Sequence, residues 1–523
     1  MRLAIGWGSP AQVDRHASQT LPRPAVWRQA GAVVRRHWLA TALLAAGLVF
    51  RVLAMLAYRP ALLFVDSVRY LYNAYGQDPL GYSGVLKAIL FVANLDTVAV
   101  VQHLLGLGMA VVIYLLLLRH GVSRWLAALA IAPVLLDGYQ VQIEQMIMPD
   151  SWFEALIVAG LAILLWKPAA GSAAGSGGLS WRRLVLAGIV LGTSATVAQV
   201  GEALILPAVI YLLAAGGGWR QAIGKAAAMC AAFALPILLY STVSFLAAGA
   251  FSLSNTGATG LYGRMASAAD CATLKLPADE STETIHWLTD HGRKVQSATV
   301  RMCPTRAQQA QGPDWLEYSA GSPIRPYYAH LPRGEVNSLL TNFNHRVLAQ
   351  QPLRVAGAYA FDVVKLFALT RNSMPGDTSI SRWQFQTTYT YYPPWVSEKV
   401  VKSSAERFGG GPPAVWRPVA GFLRGYQLHG GYTPGPVLLV CVLASLAGCA
   451  CLLRRRLDPA TRRLGLACLA MFASGAFVLL VSDVFEFSWR YQLAALVTLV
   501  PAGALGISVL ARSNRAIVLR FYR

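Results

Sequence analysis

Acidic residues occur in three short segments that adjoin long apolar runs of the chain. These residues are Asp66, Asp78, Glu144, Asp150, Asp483 and Glu486. A carboxylate within hydrogen-bond reach of a hydroxyl can accept its proton in a transition state. Ionisable groups at the edge of an apolar run are costly to place in lipid and indicate functional sites. The three segments therefore predict proton-transfer chemistry at one face of a membrane, with Asp66, Asp150 and Glu144 as the candidate catalytic residues.

Arginines accompany two of the acidic segments. Arg59 and Arg69 flank Asp66, and Arg490 follows Glu486. Guanidinium groups bind phosphate oxygens and stabilise charge that develops on a leaving group. We therefore expect the three arginines to bind an anionic substrate, although Arg490 could instead only reach toward lipid phosphates.

The spacing around Glu144 leaves several roles open. Asp137 precedes it by seven residues, so one continuous helix would place both carboxylates on the same face. Glu144 or Asp150 could orient an acceptor or share the role of base with Asp66. Asp66 and Asp150 could also join around a divalent cation such as Mg²⁺, Mn²⁺ or Ca²⁺, although no spacing demands a metal. The alternative interpretation is that Asp66 and Asp150 only cap helices.

The composition indicates which elements must position these residues. Of the 523 residues, 55% are hydrophobic and only 13% are charged, which exceeds what a soluble core of this length would bury. The net charge of +21 comes from short basic clusters between apolar runs, without one basic face. This distribution excludes nucleic-acid binding as the main function and favours an integral membrane protein.

Ten apolar segments approach the roughly 20 residues that a membrane-spanning helix needs. They are Trp38–Ala57, Val98–Leu118, Trp125–Ile143, Ser151–Trp166, Leu184–Val200, Ala203–Ala215, Ala226–Ala247, Pro436–Leu453, Leu464–Val481 and Tyr491–Ala511. With ten spans, the Lys and Arg clusters of the short loops fall on one side, which places both termini in the cytoplasm. The sequence predicts an all-α polytopic protein of the cell membrane.

The spans divide the chain into five regions. Residues 1–37 are a basic cytoplasmic terminus, and residues 38–250 carry about seven spans, with a first outer loop at 58–97 that contains interfacial helices. Residues 251–434 form a mixed extracytoplasmic domain. Residues 435–511 carry about three further spans, and residues 512–523 form a cytoplasmic tail.

Three features of the segment 251–434 bear on its structure. Cys271 and Cys303 are the two cysteines outside the spans, and their oxidising location predicts a disulfide. Apolar residues recur at helical spacing over 353–367, which predicts an amphipathic helix. The aromatic run from Trp383 to Trp395 either packs in a loop at the interface or forms a platform for sugar rings or a lipid chain.

Several short motifs together resemble one family. They are Asp66 with Ser67 and Tyr70, the Gly81-Tyr82 turn, Gln102 to Gly106, Glu144 to Phe153, and Arg490-Tyr491. In their order and topology they resemble the polytopic, phospholipid-carrier-dependent glycosyltransferases of the GT-C type. These include protein O-mannosyltransferases and actinobacterial arabinofuranosyltransferases. One departure is that many relatives carry a basic residue near the turn where this chain has Gln199 and Glu202.

The resemblance implies inverting transfer of a sugar from a polyprenyl-phosphate donor to an extracytoplasmic glycan, glycolipid or protein acceptor. It makes Asp66 the first choice for the general base. Together, the residue types, their spacing and the resemblance predict that Arg59, Arg69, Tyr70, Tyr82, Asp137, Arg490 and Tyr491 bind substrate. Two other functions stay open: a transporter or lipid flippase, for which broken helices or inverted repeats are expected, and a non-catalytic envelope scaffold.

Overall fold

A computed structural model describes residues 31–72, 79–166, 179–215, 218–254, 256–275, 283–289, 294–300, 302–393, 395–454 and 457–521. Asp78 and most of the basic N-terminus lie outside these residues.

Helices dominate the described chain. The α-helices are Trp38–Ala57, Val65–Tyr72, Gly81–Leu90, Leu95–Arg119, Arg124–Leu136, Gly138–Gln145, Asp150–Leu165, Trp181–Val197, Ile205–Ala215, Trp219–Ala248, Gly257–Ala268, Arg306–Gln309, Pro313–Tyr318, Arg325–His330, Arg333–Gln350, Pro352–Lys365, Glu398–Phe408, Arg417–Leu428, Gly435–Ala450, Pro459–Phe485 and Ala494–Phe521. Short 3-10 turns are Gln199–Leu204, Ile380–Trp383, Cys451–Leu453 and Tyr491–Leu493.

Strands are few and form two antiparallel pairs in the described chain. Tyr58–Arg59 pairs with Ala414–Val415. This pairing connects the end of the first predicted span to the segment that precedes the last three predicted spans. Glu283–Thr289 pairs with Lys294–Val300 within the predicted extracytoplasmic domain.

Six described helices are long and apolar enough to cross a membrane. They are Trp38–Ala57, Leu95–Arg119, Trp219–Ala247, Gly435–Leu453, Pro459–Phe485 and Tyr491–Ser513. A seventh results if the bent pair Arg124–Leu136 and Gly138–Gln145 counts as one span. These helices confirm an all-α polytopic membrane protein. Asp150–Leu165, Trp181–Val197 and Gln199–Ala215 are helical but shorter, so the count of ten stays a prediction.

The continuous helix expected through Asp137 is wrong. The first helix of the pair ends at Leu136, Asp137 has extended backbone, and the next helix starts at Gly138 with a bend of 49°. The side chain of Asp137 caps the new helix because its Oδ1 accepts from the Tyr139 N–H at 3.0 Å. The Gly138 N–H donates to the Gly431 carbonyl at 2.7 Å, which holds the break against another segment.

The buried apolar residues form two clusters. The large core joins the long helices and includes buried residues of the predicted extracytoplasmic segment between Leu366 and Leu423. The small core contains buried residues from Tyr262 to Val355. The predicted disulfide is confirmed, since Cys271 and Cys303 are bonded beside this small core.

The predicted amphipathic helix is present as Pro352–Lys365. Its polar side, not its apolar side, faces the protein. Asp362 and Lys365 are buried, whereas Leu353 and Val364 are exposed. The polar residues are accommodated because Lys365 Nζ forms ion pairs with Asp362 and Asp377.

Candidate active site

The first outer loop is tied to the loop that precedes Asp150. Helix Val65–Tyr72 carries Asp66 in its first turn. Beside it, Ser67 Oγ accepts from the Phe64 N–H and donates to the Ile147 carbonyl, each at 2.8 Å. Leu62 also forms a parallel bridge with Met146. These contacts bring Asp66 to the N-terminal end of helix Asp150–Leu165.

One arginine bonds both carboxylates. Arg490 Nη1 donates to Asp66 Oδ2 at 3.1 Å, and Arg490 Nε donates to Asp150 Oδ1 at 2.8 Å. Arg69 Nη2 forms a second ion pair with Asp66 Oδ1. We call Asp66, Arg69, Asp150 and Arg490 the Asp66 cluster. It lies after the end of helix Trp38–Ala57, at the start of helix Asp150–Leu165 and directly before the last predicted span, which begins at Tyr491.

The Asp66 cluster is partly open to solvent. Relative exposures of the side chains are 16% for Asp66, 13% for Asp150 and 9% for Arg490. The guanidinium of Arg490 lies over the rings of Trp383 and Tyr491, at 5.4 and 5.3 Å from their centroids. These rings limit its movement, so the donors keep a fixed direction.

The charges of the cluster act on Asp66. Burial alone raises the pKa of this carboxyl, but the positive charges and hydrogen bonds of Arg69 and Arg490 outweigh burial and hold the pKa below its ordinary value. Asp66 is therefore ionised at neutral pH. Asp150 Oδ2 is buried and accepts no hydrogen bond from the described part of the chain. The cluster thus has an acceptor atom left for a hydroxyl or an N–H of a substrate.

A divalent cation between Asp66 and Asp150 does not fit this arrangement. The guanidinium of Arg490 already bonds both carboxylates and supplies the positive charge between them. Among the described residues, no group of three or more His, Cys, Asp or Glu side chains could hold a metal ion.

Helix capping does not account for Asp150. The N-cap of helix Asp150–Leu165 is Pro149, and no side chain caps that helix end. Asp150 bonds Arg490 instead, across 340 positions of sequence. The contact indicates a tertiary role for Asp150.

Glu144 belongs to a different group, which corrects the expectation that it lies in one cavity with Asp66. Arg51 Nη2 donates to Glu144 Oε1 at 2.8 Å, and His103 Nδ1 lies 3.0 Å from Oε2. Gln140 Nε2 donates to Oε1 at 3.2 Å. We call Arg51, His103, Gln140 and Glu144 the Glu144 cluster. Its ion pair is fully buried, with exposures of 1% for Arg51 and 0% for Glu144.

The segment Gln102 to Gly106 is explained by the Glu144 cluster. Gln102 Nε2 donates to the backbone carbonyls of Glu144 and Met146, at 2.9 and 2.6 Å. A Cβ on Gly106 would lie 2.1 Å from Glu144 Oε1, so only glycine leaves room for the carboxylate. The motif therefore positions the chain before Asp150 and does not itself reach the Asp66 cluster.

Asp137 is paired at a third place. Arg371 bonds it with two parallel contacts, of 3.1 Å to Oδ1 and 2.7 Å to Oδ2, and the Thr433 N–H donates to Oδ2 at 2.8 Å. The guanidinium lies over the ring of Tyr139 at 4.7 Å. This buried fork holds two distant segments together, and the structure does not bring Asp137 to Asp66.

The other predicted substrate-binding residues differ in their distance from the cluster. Tyr70 and Tyr82 pack edge to face at 5.3 Å, and the Tyr82 hydroxyl donates to Gln102 Oε1 at 2.6 Å. They support the helix that carries Asp66. Arg59 is exposed on its short strand, and no ion pair between it and Asp66 or Asp150 occurs among the described residues.

Two residues near the cluster received no specific role from the sequence. Trp383 is buried under Arg490 and against Phe64, at 4.9 Å between rings. Glu486 accepts from Thr378 Oγ1 at 3.0 Å, and burial together with the charge of Asp314 raises its pKa to about 8. In the sequence, the aromatic run was the only feature that pointed to Trp383. The acidic pair before Arg490 was the feature that pointed to Glu486.

A narrow cleft lies between the first outer loop and the aromatic run that begins at Trp383. It is lined by Tyr58, Leu62, Leu63, Gln142, Met146, Arg382, Gln384, Gln386, Thr390 and Tyr392. Gln142 is 2% exposed, and its Oε1 accepts no hydrogen bond from the described part of the chain. The cleft therefore joins the first outer loop to the aromatic run and presents amide and hydroxyl groups.

Comparison with known proteins adds a family match. Residues 75–248 match the family described as dolichyl-phosphate-mannose-protein mannosyltransferase. The matched segment contains Asp137, Glu144 and Asp150 but neither Asp66 nor Arg490. The match confirms the resemblance to GT-C glycosyltransferases over these residues. Comparison with the curated proteins yields no match.

Two solved structures are similar to the chain. One is the Pmt1-Pmt2 protein O-mannosyltransferase complex of S. cerevisiae bound to the sugar donor, with 16% identity, a TM-score of 0.31 and 48% of this chain covered. The other is the oligosaccharyltransferase AglB of Archaeoglobus fulgidus with an inhibitory peptide and a dolichol-phosphate, with 14% identity, a TM-score of 0.40 and 92% covered. The chain spans 38% and 52% of the lengths of those two chains.

Proposed function

We propose that the protein is a membrane glycosyltransferase that moves a sugar from a polyprenyl-phosphate donor to a hydroxyl of a glycan, glycolipid or protein acceptor outside the cytoplasm. The observation that carries the proposal is the bonding of Asp66 and Asp150 by one guanidinium, Arg490, at the ends of three apolar helices. The site therefore combines a carboxylate base with a cation able to bind phosphate, at a depth that a lipid-linked donor reaches.

Asp66 acts as the general base in this proposal. The acceptor oxygen attacks the anomeric carbon from the side opposite the phosphate, the bond from carbon to phosphate oxygen breaks, and the acceptor proton passes to Asp66. The configuration is inverted because one displacement occurs. The low pKa of Asp66 ensures that the carboxylate is ionised before the acceptor arrives.

Arg490 and Arg69 stabilise the leaving polyprenyl phosphate. Both now bond Asp66, so a bound phosphate competes with the carboxylate for the same N–H groups. When the phosphate takes part of these hydrogen bonds, Asp66 loses charge stabilisation and becomes a stronger base. Donor binding and activation of the base are thus coupled.

Asp150 positions the cluster. Its Oδ1 accepts from Arg490 Nε, while Nη1 of the same guanidinium donates to Asp66 Oδ2. Its other oxygen, Oδ2, accepts no hydrogen bond from the described residues, so contact with the acceptor is the alternative role that a double variant tests. Glu144 keeps a supporting role, because both of its oxygens accept hydrogen bonds within a fully buried group.

Release of polyprenyl phosphate tests the proposal. Purified protein in detergent is incubated with polyprenyl-phosphate mannose, glucose or arabinofuranose and a mixed envelope acceptor fraction, and the free lipid phosphate is quantified by mass spectrometry. Asp66→Asn should lower the rate by about 10²–10⁴-fold, the range for loss of a general base. The matched control is Glu398→Gln, which alters an exposed carboxylate paired only with Lys402.

Two results would overturn the proposal. One is the absence of release from the wild-type protein with every donor. The other is an Asp66→Asn variant that keeps a rate within threefold of wild type. A transporter, flippase or scaffold predicts the first result, so the same assay separates these functions from an enzyme.

A further inference from the structure

A second polar cavity lies at the opposite end of the first span. Its volume is about 220 Å³, and it is lined by Arg35, Arg36, His37, Trp38, Leu39, Ala40, Tyr114, Arg124 and Trp125. Helix Trp38–Ala57 has 20 residues and separates the cavity from the Asp66 end of the molecule by about 30 Å at 1.5 Å per residue. The proposed catalysis uses none of these residues.

The charge of the cavity wall is positive. Three arginines line it, and no carboxylate of the described chain forms a salt bridge with any of them. Arg124 Nη1 donates to the Arg36 carbonyl at 2.9 Å, which holds the two basic segments together. The pKa of His37 is lowered by burial and by the charges of Arg124 and Arg36, which reflects the same positive potential.

One helix begins at this cavity. It starts at Arg124, where the Ser123 side chain accepts from the Leu126 N–H. Trp38, in contrast, follows helical residues 31–36 after the single turn residue His37, whose N–H donates to the Val33 carbonyl at 3.0 Å. The N-terminal end of a helix carries a partial positive charge and has N–H groups without partners inside the helix. The Arg124 end therefore adds to the attraction that the arginines exert on an anion.

Tryptophans form the rim. Trp38 and Trp125 pack edge to face at 5.3 Å and are 53% and 55% exposed. Tryptophan favours the headgroup region of a bilayer because its ring is apolar and its N–H is polar. His37 Nδ1 and the Tyr114 hydroxyl are bonded at 2.7 Å below this rim. The cavity thus opens at the depth where lipid phosphates lie.

We propose that this cavity binds the phosphate of an anionic phospholipid headgroup. The three arginines and the N-terminal end of helix Arg124–Leu136 hold the phosphate, and the tryptophans contact the glycerol and the start of the acyl chains. A phosphate group fits within the volume of the cavity. The proposal is independent of the proposed enzymatic activity, because it concerns residues one membrane thickness away from Asp66.

Native mass spectrometry of the full chain in detergent tests the proposal. Phosphatidylglycerol, phosphatidylcholine and glycerol 3-phosphate are titrated separately. The triple variant Arg35→Gln, Arg36→Gln, Arg124→Gln should weaken phosphatidylglycerol binding at least about tenfold, because it removes the three cations that attract the anionic headgroup. The matched control is the triple variant Arg182→Gln, Arg462→Gln, Arg463→Gln. It removes the same number of charges from the predicted cytoplasmic side, outside the cavity, and should weaken binding less than twofold.

A neutral variant separates the cavity from net charge. Leu39→Trp fills the cavity without changing any charge, and we expect it to weaken phosphatidylglycerol binding as strongly as the triple variant does. It also keeps the test valid if the triple variant does not fold. Equal weakening by both triple variants, or wild-type binding by Leu39→Trp, would overturn the proposal, as would binding of phosphatidylcholine with equal affinity. Tight binding of glycerol 3-phosphate that Leu39→Trp removes would show that the ligand is a soluble phosphate and not a lipid.

Discussion

The Asp66 cluster and the Glu144 cluster are built from the same residue types but differ in exposure. In each, an arginine bonds a carboxylate from a distant part of the chain at 2.8 Å, Arg51 to Glu144 and Arg490 to Asp150. Every oxygen of Glu144 accepts a hydrogen bond, and its side chain is 0% exposed. Asp66 is 16% exposed, and one oxygen of Asp150 has no partner in the described chain.

The difference teaches how to separate a structural ion pair from a reactive one. A buried charge pair with complete hydrogen bonding resists any change of partner, because removal of one member leaves the other charge uncompensated. A partly open pair can exchange a partner for a substrate at small cost. A carboxylate near the surface whose pKa is shifted by neighbouring arginines is therefore a better candidate for chemistry than a fully buried carboxylate.

The largest expected effect is on stability and concerns Glu144. Glu144→Ala should lower the free energy of unfolding by about 3–5 kcal/mol, because the Arg51 guanidinium would be left buried without its counter-charge. Thermal unfolding of the purified protein in detergent measures the loss. Gly106→Ala should also destabilise the protein, since its Cβ would lie 2.1 Å from Glu144 Oε1.

Asp66→Ala is the matched control for this comparison. Its cluster is partly exposed and Arg490 keeps Asp150, so the loss should be about 1 kcal/mol. If Glu144→Ala unfolds at the wild-type temperature but no longer transfers sugar, the distinction between the two clusters is wrong.

The next effect is on catalysis and concerns Arg490. Arg490→Lys keeps the charge but removes the planar fork that bonds two carboxylates at once. The rate of lipid phosphate release at saturating donor should fall by about 10²–10³-fold, the range for loss of one donor to developing charge. Arg354→Lys, at an exposed arginine 3.8 Å from Asp270, should leave the rate unchanged. A rate above half of the wild-type value would remove Arg490 from the chemistry.

A smaller loss is expected for Asp150. Asp150→Asn weakens one charge-assisted hydrogen bond to Arg490, so the rate should fall by about tenfold. Since Asp150 acts through Arg490, the double variant with Arg490→Lys should be no slower than Arg490→Lys alone. Independent, multiplying losses would instead indicate that Asp150 contacts the acceptor directly.

The sequence predicted most of the long apolar helices. It also predicted that Asp66 follows the end of the first of them. Long apolar runs and helix caps act locally, so six of the predicted spans reappear with closely similar bounds. The disulfide between Cys271 and Cys303 followed from location alone. Asp66, Asp150 and Arg490 lie together in the structure, and the sequence places each beside the same end of an apolar run, while their roles stay a prediction.

What the sequence could not predict depended on long-range partners. Nothing near Asp137 indicates that Arg371, 234 positions later, would bond it or that the helix would break there. Glu144 and Asp150 lie six residues apart, and only the positions of Arg51 and Arg490 assign them to separate clusters. Likewise, Asp362 and Lys365 face inward because they form ion pairs with Arg264 and Asp377, respectively.

The smallest effect at neutral pH concerns Arg69, and it tests how the open cluster controls its base. The charge of Arg69 helps to hold the pKa of Asp66 below its ordinary value, against the effect of burial. Catalysis needs the ionised carboxylate, so the wild-type rate should persist as pH falls and decline only when pH approaches that lowered pKa. Arg69→Gln removes one of the two charges, so the pKa of Asp66 rises and the acidic decline of kcat/KM should move to higher pH. At neutral pH Asp66 stays largely ionised, and only the contribution of Arg69 to phosphate binding is lost.

The dependence of kcat/KM on pH, measured from pH 4 to 8, tests this expectation, with Arg69→Lys as the charge-preserving control. If Arg69→Gln and Arg69→Lys decline at the same pH, the charge beside Asp66 does not set its protonation, and the coupling between donor binding and base strength is lost with it.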